Sequence, residues 1–264
     1  MGLYKMKDTY PSVKDNGACK GRPNPHNTTI VVSRWNGDTS WTVRLVELGY
    51  RVCVYDHGTN PNNPYSVPEN VGREASVYMK YMRDYYDNLT TYTVFVHEHE
   101  LSWHHDGSLV DMIVNKLAGL CSPKYVNFNN RCTGSIENGW WEDKSIQRFF
   151  DKYLAAYIGK LAEYGNWTLG NRCCAQFIVH KSRITKHPRA FYEKLYKFTL
   201  EKTEDPAKNG HLLEWTYNLI FDSPVLYPKG KPSKAEREKA LEKGGPCPQS
   251  KNRINSRPSN NNNK

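Results

Sequence analysis

The chain contains no long hydrophobic run. None of its 264 residues begins a stretch of about 18 apolar residues, the length that a membrane-spanning helix requires. Its first residues, Met1 to Asp8, also lack the apolar segment of a signal peptide. We therefore expect a soluble, cytoplasmic protein without a transmembrane segment.

Paired cysteine motifs are absent as well. The seven cysteines are an odd number at scattered positions, and no Cys-x-x-Cys occurs. This pattern indicates neither a zinc ribbon nor a disulfide framework. We expect reduced, buried thiols.

Acidic residues are scarce in the last part of the chain. The formal net charge is +10, and residues 228–264 hold ten Lys and Arg against three Glu, so most of the excess lies there. This segment is rich in Pro, Ser, Asn and Lys and too poor in apolar residues to form a core, which predicts a disordered basic tail. The rest of the chain has no basic stripe interleaved with aromatic residues, so we expect no specific nucleic-acid partner.

Strand and helix signals alternate between these ends. Runs of β-branched and apolar residues predict strands at 28–34, 51–56, 92–96, 124–128 and 175–179. Helical spacing predicts helices at 40–48, 73–86, 108–117, 144–161, 188–201 and 212–221. The Val- and Ile-rich opening strands predict parallel pairing and adjacency of the strands that begin at Thr28, Arg51 and Tyr92. The predicted fold class is α/β, with one mostly parallel central sheet flanked by helices.

A segment rich in His and Glu follows the third strand. Within nine positions it holds His97, Glu98, His99, Glu100, His104 and His105. If the strand continued, its two-residue period would place the first two imidazoles on one face and the two carboxylates on the other. Oxygen ligands favour Mn or Mg and imidazole favours Zn, so the composition predicts a divalent metal site without fixing the metal. A solvent-exposed His-rich loop would have the same composition.

Two further strand ends carry candidate ligand-binding residues. Asp56 ends the second strand, where open α/β sheets present a carboxylate to a ribose or base. Asn70 can cap a helix, Gly72 permits close backbone approach, and Arg73 lies at a helix N-terminus. Helix amides and a guanidinium together suit a diphosphate. A turn aspartate and a plain capped helix with a surface arginine would explain the same residues.

These residues belong to a larger set of motifs. The set comprises Val31-Val32-Ser33-Arg34-Trp35-Asn36, Val54-Tyr55-Asp56-x-Gly58, Asn70-x-Gly72-Arg73-Glu74-Ala75, Val94-Phe95-x-His97-x-His99 and Cys174-Ala175-Gln176-Phe177. Over roughly residues 28–221 it resembles an uncharacterised domain-of-unknown-function family that occurs mainly in fungi, algae and large DNA viruses. More distantly, the third motif is similar to the Asn-x-Gly-Arg-Asp motif of polysaccharide-synthesis glycosyltransferases of the GT-A type, with Glu74 in place of the Asp. Glu98-His99-Glu100 occupies the place of the Asp-x-Asp that holds Mn or Mg in those enzymes.

The resemblance implies a single GT-A-like, Rossmann-like domain at residues 28–227, between an N-terminal extension at 1–27 and the tail at 228–264. It implies a glycosyltransferase that moves a sugar from a nucleotide-sugar donor to a glycan or glycoprotein acceptor, in a virus within the host cytoplasm or the virion. The implied nucleotide-binding residues are Arg34, Asp56, Asn70, Gly72 and Arg73. A divalent cation, Mn or Mg, is assigned to Glu98, His99 and Glu100, with His97, His104 and His180 as further candidates.

An inverting transfer requires a base, and Glu214 is the candidate. It is expected at the start of an otherwise apolar and aromatic helix, where burial would shift the pKa of its carboxyl group. The helix dipole alone also favours a Glu in a first turn. For His180, a surface histidine is the simpler interpretation.

Two hypotheses from other classes remain open. One is a metal-dependent hydrolase in which His97, His99, His104 and His105 bind Zn and Glu98 or Glu100 activates water. The other is a non-catalytic carbohydrate-binding or virion module, for which the seven Trp and eighteen Tyr supply stacking surfaces.

Overall fold

The structure is a computed structural model that describes residues 23–58, 62–68, 71–102, 105–122, 124–127, 129, 144–159, 175–203 and 205–221. The predicted tail at 228–264 and most of the N-terminal extension lie outside these residues. Asn70 and His104 also lie outside them.

The centre of the fold is a six-stranded mixed sheet. Its strands are β1 (Thr28–Arg34), β2 (Arg51–His57), β3 (Ser66–Val67), β4 (Tyr92–His97), β5 (Tyr125–Asn127) and β6 (Phe177–His180). Their spatial order is β3-β2-β1-β4-β6-β5. The pairs among β3, β2, β1 and β4 are parallel, whereas β6 pairs antiparallel with β4 and β5. The predicted α/β class and the adjacency of the first three predicted strands are confirmed.

The helices follow the predicted alternation with some differences. They are α1 (Thr42–Glu47), α2 (Arg73–Asp84), α3 (Leu109–Ala118), α4 (Lys144–Phe149), α5 (Ala155–Ile158), α6 (Lys181–Ile184), α7 (Arg189–Thr199), α8 (Lys208–Glu214) and α9 (Tyr217–Phe221). A π-helical turn at Phe150–Leu154 joins α4 to α5, and the predicted last helix is divided into α8 and α9. In the part of the chain that the structure describes, no helix is both long and apolar enough to cross a membrane.

Two hydrophobic layers cover the sheet. On one face, β-strand side chains such as Val31, Tyr55 and Phe95 pack with α2, α7, α8 and α9 in an aromatic-rich core. On the other face, alternating residues such as Ile30 and Val94 pack with α1 and α3 in an aliphatic core. Strand alternation produces this division, since successive side chains point to opposite faces. The sheet therefore holds its strand ends rigidly between two filled layers.

The prediction of reduced thiols is wrong for Cys121, which is disulfide-bonded. The other cysteine that the structure describes, Cys53, is free, so the bonding partner of Cys121 is not among the described residues. Isolated sequence positions carry no information on which distant cysteines meet in space. Because disulfides are typical of oxidising compartments, Cys121 does not support the cytoplasmic expectation.

Gly210 allows α8 to lie directly on the start of α2. A Cβ added to Gly210 would lie only 2.7 Å from the carbonyl oxygen of Gly72. The backbone N–H of Gly72 donates to the carbonyl of Pro206 at 3.0 Å, just before α8. Backbone thus packs against backbone at this crossing.

We predict that Gly210→Ala destabilises the protein by up to about 2 kcal/mol. The added methyl group meets backbone that cannot rotate away, which costs about 1 to 3 kcal/mol, and the helix propensity that Ala gains offsets about 1 kcal/mol of this cost. The matched control is Gly119→Ala, because a Cβ there would lie 3.6 Å from its nearest neighbour, an ordinary contact. Urea unfolding of both variants measures the difference. Equal stability of the two variants would contradict the close contact.

Candidate functional site

The carboxyl ends of β1, β2 and β4 lie at one edge of the sheet. They end at Arg34, His57 and His97, and their parallel registers place these ends side by side. From β1 the chain turns to β2 on one side and later to β4 on the other, which makes the β1–β4 boundary a topological switch point. Open α/β sheets bind ligands in the crevice outside such a point.

Arg34 and Asp56 are brought together as an ion pair. The guanidinium donates to both carboxylate oxygens, from Nη2 to Oδ2 at 2.9 Å and from Nε to Oδ1. The bond to Asp56 is the main cause that raises the pKa of Arg34. Both side chains remain partly exposed, so the pair can present a polar edge to a ligand.

Glu98 braces the loop that follows β1. Its buried carboxylate oxygen Oε2 accepts hydrogen bonds from the backbone N–H of Trp35 at 2.5 Å and of Gly37 at 2.7 Å. Its own carbonyl accepts from the indole of Trp41 at 2.6 Å. Gly37 must lack a side chain, because a Cβ there would lie 2.3 Å from Cδ of Glu98. This carboxylate therefore fixes the loop.

Glu100 and His99 have different surroundings. Glu100 pairs with Arg44 and accepts a hydrogen bond from the hydroxyl of Ser108 at 2.8 Å. His99 is exposed, and its Nε2 lies 3.5 Å from Oε1 of Glu98. The predicted strand alternation does not extend to these residues, because β4 ends at His97.

The His/Glu segment does not form a metal centre among the described residues. No three His, Cys, Asp or Glu side chains within them are arranged to hold a metal ion. The carboxylates of Glu98 and Glu100 are occupied by the backbone and side-chain donors described above.

His97 lies on the sheet face that α2 covers, in the same alternation as Phe95. The pKa of His97 is lowered to about 3, chiefly by burial and further by the nearby His99, His105 and Arg73. Its imidazole is therefore neutral at physiological pH. On the same face, the hydroxyl of Ser33 and Nε2 of His57 are hydrogen-bonded at 2.9 Å.

Arg73 begins α2 with an unusual backbone. Gly72 is the N-cap with φ +71°. Arg73 itself has φ +48°, which is uncommon for a residue with a side chain. Such strain is held in place by the surrounding structure and occurs often at functional sites. Here the backbone directs an exposed arginine from the start of a twelve-residue helix.

Glu214 lies at the end of α8, not at the start of a helix as predicted. A helix C-terminus disfavours a carboxylate, so the helix dipole does not explain a Glu here. The pKa of Glu214 is raised to about 8, first because burial penalises the carboxylate and second because Glu74 is near, while Arg73 acts in the opposite direction. The side chain keeps some accessible surface although protein surrounds it. The contact between Gly72 and Gly210 thus brings Glu214 close to Arg73.

His180 does not join this site. Its register partner is Tyr92, the first residue of β4, because β6 runs antiparallel. It therefore lies at the opposite edge of the sheet, where its Nδ1 accepts from the backbone N–H of Ser182 at 3.1 Å and caps α6. The sequence order alone could not reveal the direction of β6.

Glu74 and the hydrogen-bonded pair of Ser33 and His57 were not predicted as site residues. The Asn-x-Gly-Arg-Glu motif contains Glu74, so the motif itself was a usable signal for it. The pairing of Ser33 with His57 depends on the register of β1 and β2, which the sequence does not specify.

Comparison with known proteins identifies the family of the chain. No curated protein and no solved structure shows significant similarity to the chain. A protein-family model described as "Protein of unknown function (DUF3431)" matches residues 30–233, which is more than half of the chain. The match includes the strand ends, Arg73 and Glu214, and the chain therefore belongs to this family.

Proposed function

We propose that the protein is a glycosyltransferase that moves a sugar from a nucleoside-diphosphate sugar to a glycan acceptor. The observation that carries the proposal is the proximity of Arg73, at the left-handed start of α2, to the half-buried acid Glu214. Both belong to the helices that cover the carboxyl edge of a mostly parallel sheet. The resemblance of the chain to GT-A glycosyltransferases supports the same proposal. Viral glycan synthesis is the setting that we propose for the reaction.

The donor diphosphate would lie at the start of α2. The free N–H groups of a helix N-terminus and the guanidinium of Arg73 both favour a dianionic group. The nucleoside would extend toward the ion pair of Arg34 and Asp56 at the ends of β1 and β2. Gly72 itself serves the packing of the helices, because a Cβ there would lie 2.6 Å from the carbonyl oxygen of Thr199.

The transfer then follows from these positions. The bond between the anomeric carbon and the β-phosphate oxygen breaks, and its electron pair remains on the phosphate, where Arg73 stabilises the developing charge. The acceptor hydroxyl forms the new bond to carbon and gives its proton to Glu214. A base with a pKa near the working pH is effective because it is both partly ionised and strong enough to take the proton.

The predicted dependence on Mn or Mg stays a prediction. Calorimetry of UDP and GDP binding with Mn, with Mg and with a chelator measures it. Binding that requires the ion and loses this requirement in Glu100→Ala would assign the ion to the His/Glu segment. Binding unchanged in the chelator would contradict that assignment.

We predict that Arg73→Ala weakens nucleoside-diphosphate binding by about 10- to 100-fold. A hydrogen bond to a charged group contributes about 1.5 to 3 kcal/mol, which corresponds to this range. Arg51→Ala is the matched control, since Arg51 is exposed at the start of β2 on the opposite edge. Calorimetry with UDP and GDP compares them. Equal affinity of the two variants would remove Arg73 from the donor site.

We predict that Glu214→Gln lowers sugar transfer by about 100-fold or more while nucleotide affinity is retained. The amide cannot accept the acceptor proton, and general-base catalysis contributes about 10²- to 10⁴-fold. Single-turnover assays with radiolabelled nucleotide sugars and a glycan mixture measure the rate. Transfer by the variant at the parental rate would exclude Glu214 as the base. Glycan binding without nucleotide binding would instead favour the carbohydrate-binding module.

We predict that the protein loses stability between about pH 4.5 and pH 8 because of Glu214. Its pKa is raised from the ordinary 4.5 to about 8 on folding, so the folded state binds more protons than the unfolded state in this range. Stability is then greatest at the acid end of the range and falls as the pH rises. Urea unfolding at several pH values should show a weaker decline for Glu214→Gln. Parallel curves for the two proteins would contradict the shifted ionisation.

A further inference from the structure

A second carboxylate lies close to Glu214. Glu214 follows Gly210 by four residues, so both lie on the face of α8 that meets the start of α2. A Cβ on Gly210 would lie 3.6 Å from the Cβ of Arg73, and Glu74 is the next residue of α2. Glu74 is half-buried and makes no hydrogen bond or ion pair with the described part of the chain. The two helices therefore bring an unpaired carboxyl group to the base.

Two tyrosines line the same interface. Tyr78 lies four residues after Glu74, Tyr217 lies three after Glu214, and their ring centroids are 6.4 Å apart. Both side chains are buried, and neither hydroxyl has a hydrogen-bond partner among the described residues. Burial, and then the charges of Glu74 and Glu214, raise the pKa of both phenols. The tyrosines therefore stay neutral and add no charge of their own.

The other charges around Glu214 do not compensate for a second carboxylate. On α2, Arg73 favours the ionised form of Glu214, but its side chain is exposed. On α7, which also packs against α8, Glu193 and Lys197 pair with each other at 3.1 Å. On α8 itself, His211 stacks on Trp215. Glu74 is thus the nearby group that opposes ionisation of Glu214.

We propose that Glu74 is a positioning residue whose negative charge opposes ionisation of Glu214 and so sets the protonation state of the base. A negative charge beside a carboxyl group in a poorly solvated interface disfavours its ionised form, so Glu214 keeps its proton to higher pH. The inference rests on the proposed function only in giving Glu214 the role of base. The repulsion itself is a property of the folded chain without substrate.

The test is a carboxyl titration by NMR of the full chain labelled with ¹³C at the Glu side-chain carboxyl. The Glu214 signal is identified by its absence in Glu214→Gln. In Glu74→Gln, the titration midpoint of Glu214 should fall by about one pH unit or more, because the competing charge is gone. Glu74→Asp should keep a raised midpoint. Glu47→Gln is the matched control, since Glu47 is exposed on α1 across the sheet, and it should leave the midpoint unchanged.

The pH profile of sugar transfer gives the second readout. In Glu74→Gln its acid limb should move to lower pH by the same amount as the NMR midpoint, which a merely structural role would not produce. An unchanged Glu214 midpoint in Glu74→Gln overturns the inference even if transfer is observed. A shifted midpoint without transfer to any acceptor supports the repulsion between Glu74 and Glu214 and contradicts the proposed function, so the two failures are distinguishable.

Discussion

The close contact between Gly72 and Gly210 determines the arrangement of the polar groups at the carboxyl edge. With no side chain on Gly210, α8 approaches the backbone at the start of α2. This approach places the end of α8 near Arg73 and surrounds Glu214 with protein. A larger residue in place of Gly210 would separate the helices, and water would then restore the ordinary ionisation of Glu214.

The sheet supplies a rigid base for this contact. The carboxylate of Glu98 holds two N–H groups of the loop after β1, and Arg34 holds Asp56 across the ends of β1 and β2. These bonds occupy the carboxylates of Glu98 and Asp56, which would otherwise be available to bind ligands. Arg73 and Glu214, by contrast, lie on the helices that cover the sheet.

Much of the fold could be predicted from the sequence, since β-branched runs such as 28–34 and the helical spacing after Arg73 are local signals. The His and Glu content of residues 97–100 is a weaker signal for the structure of the site. A carboxylate such as Glu98 can accept hydrogen bonds from the backbone as readily as it can bind a metal ion. The meeting of Arg73 with Glu214 depends on backbone packing between distant segments, and no local pattern encodes it. The same is true of the disulfide at Cys121 and of the antiparallel direction that removes His180 from the site.

The most direct test of the proposed function is a crystal structure of the protein with a non-hydrolysable nucleotide-sugar analogue. The account predicts the β-phosphate within hydrogen-bond distance of the Arg73 guanidinium, with the anomeric carbon directed toward Glu214. An analogue bound at another edge of the sheet, or one whose sugar points away from Glu214, would contradict it.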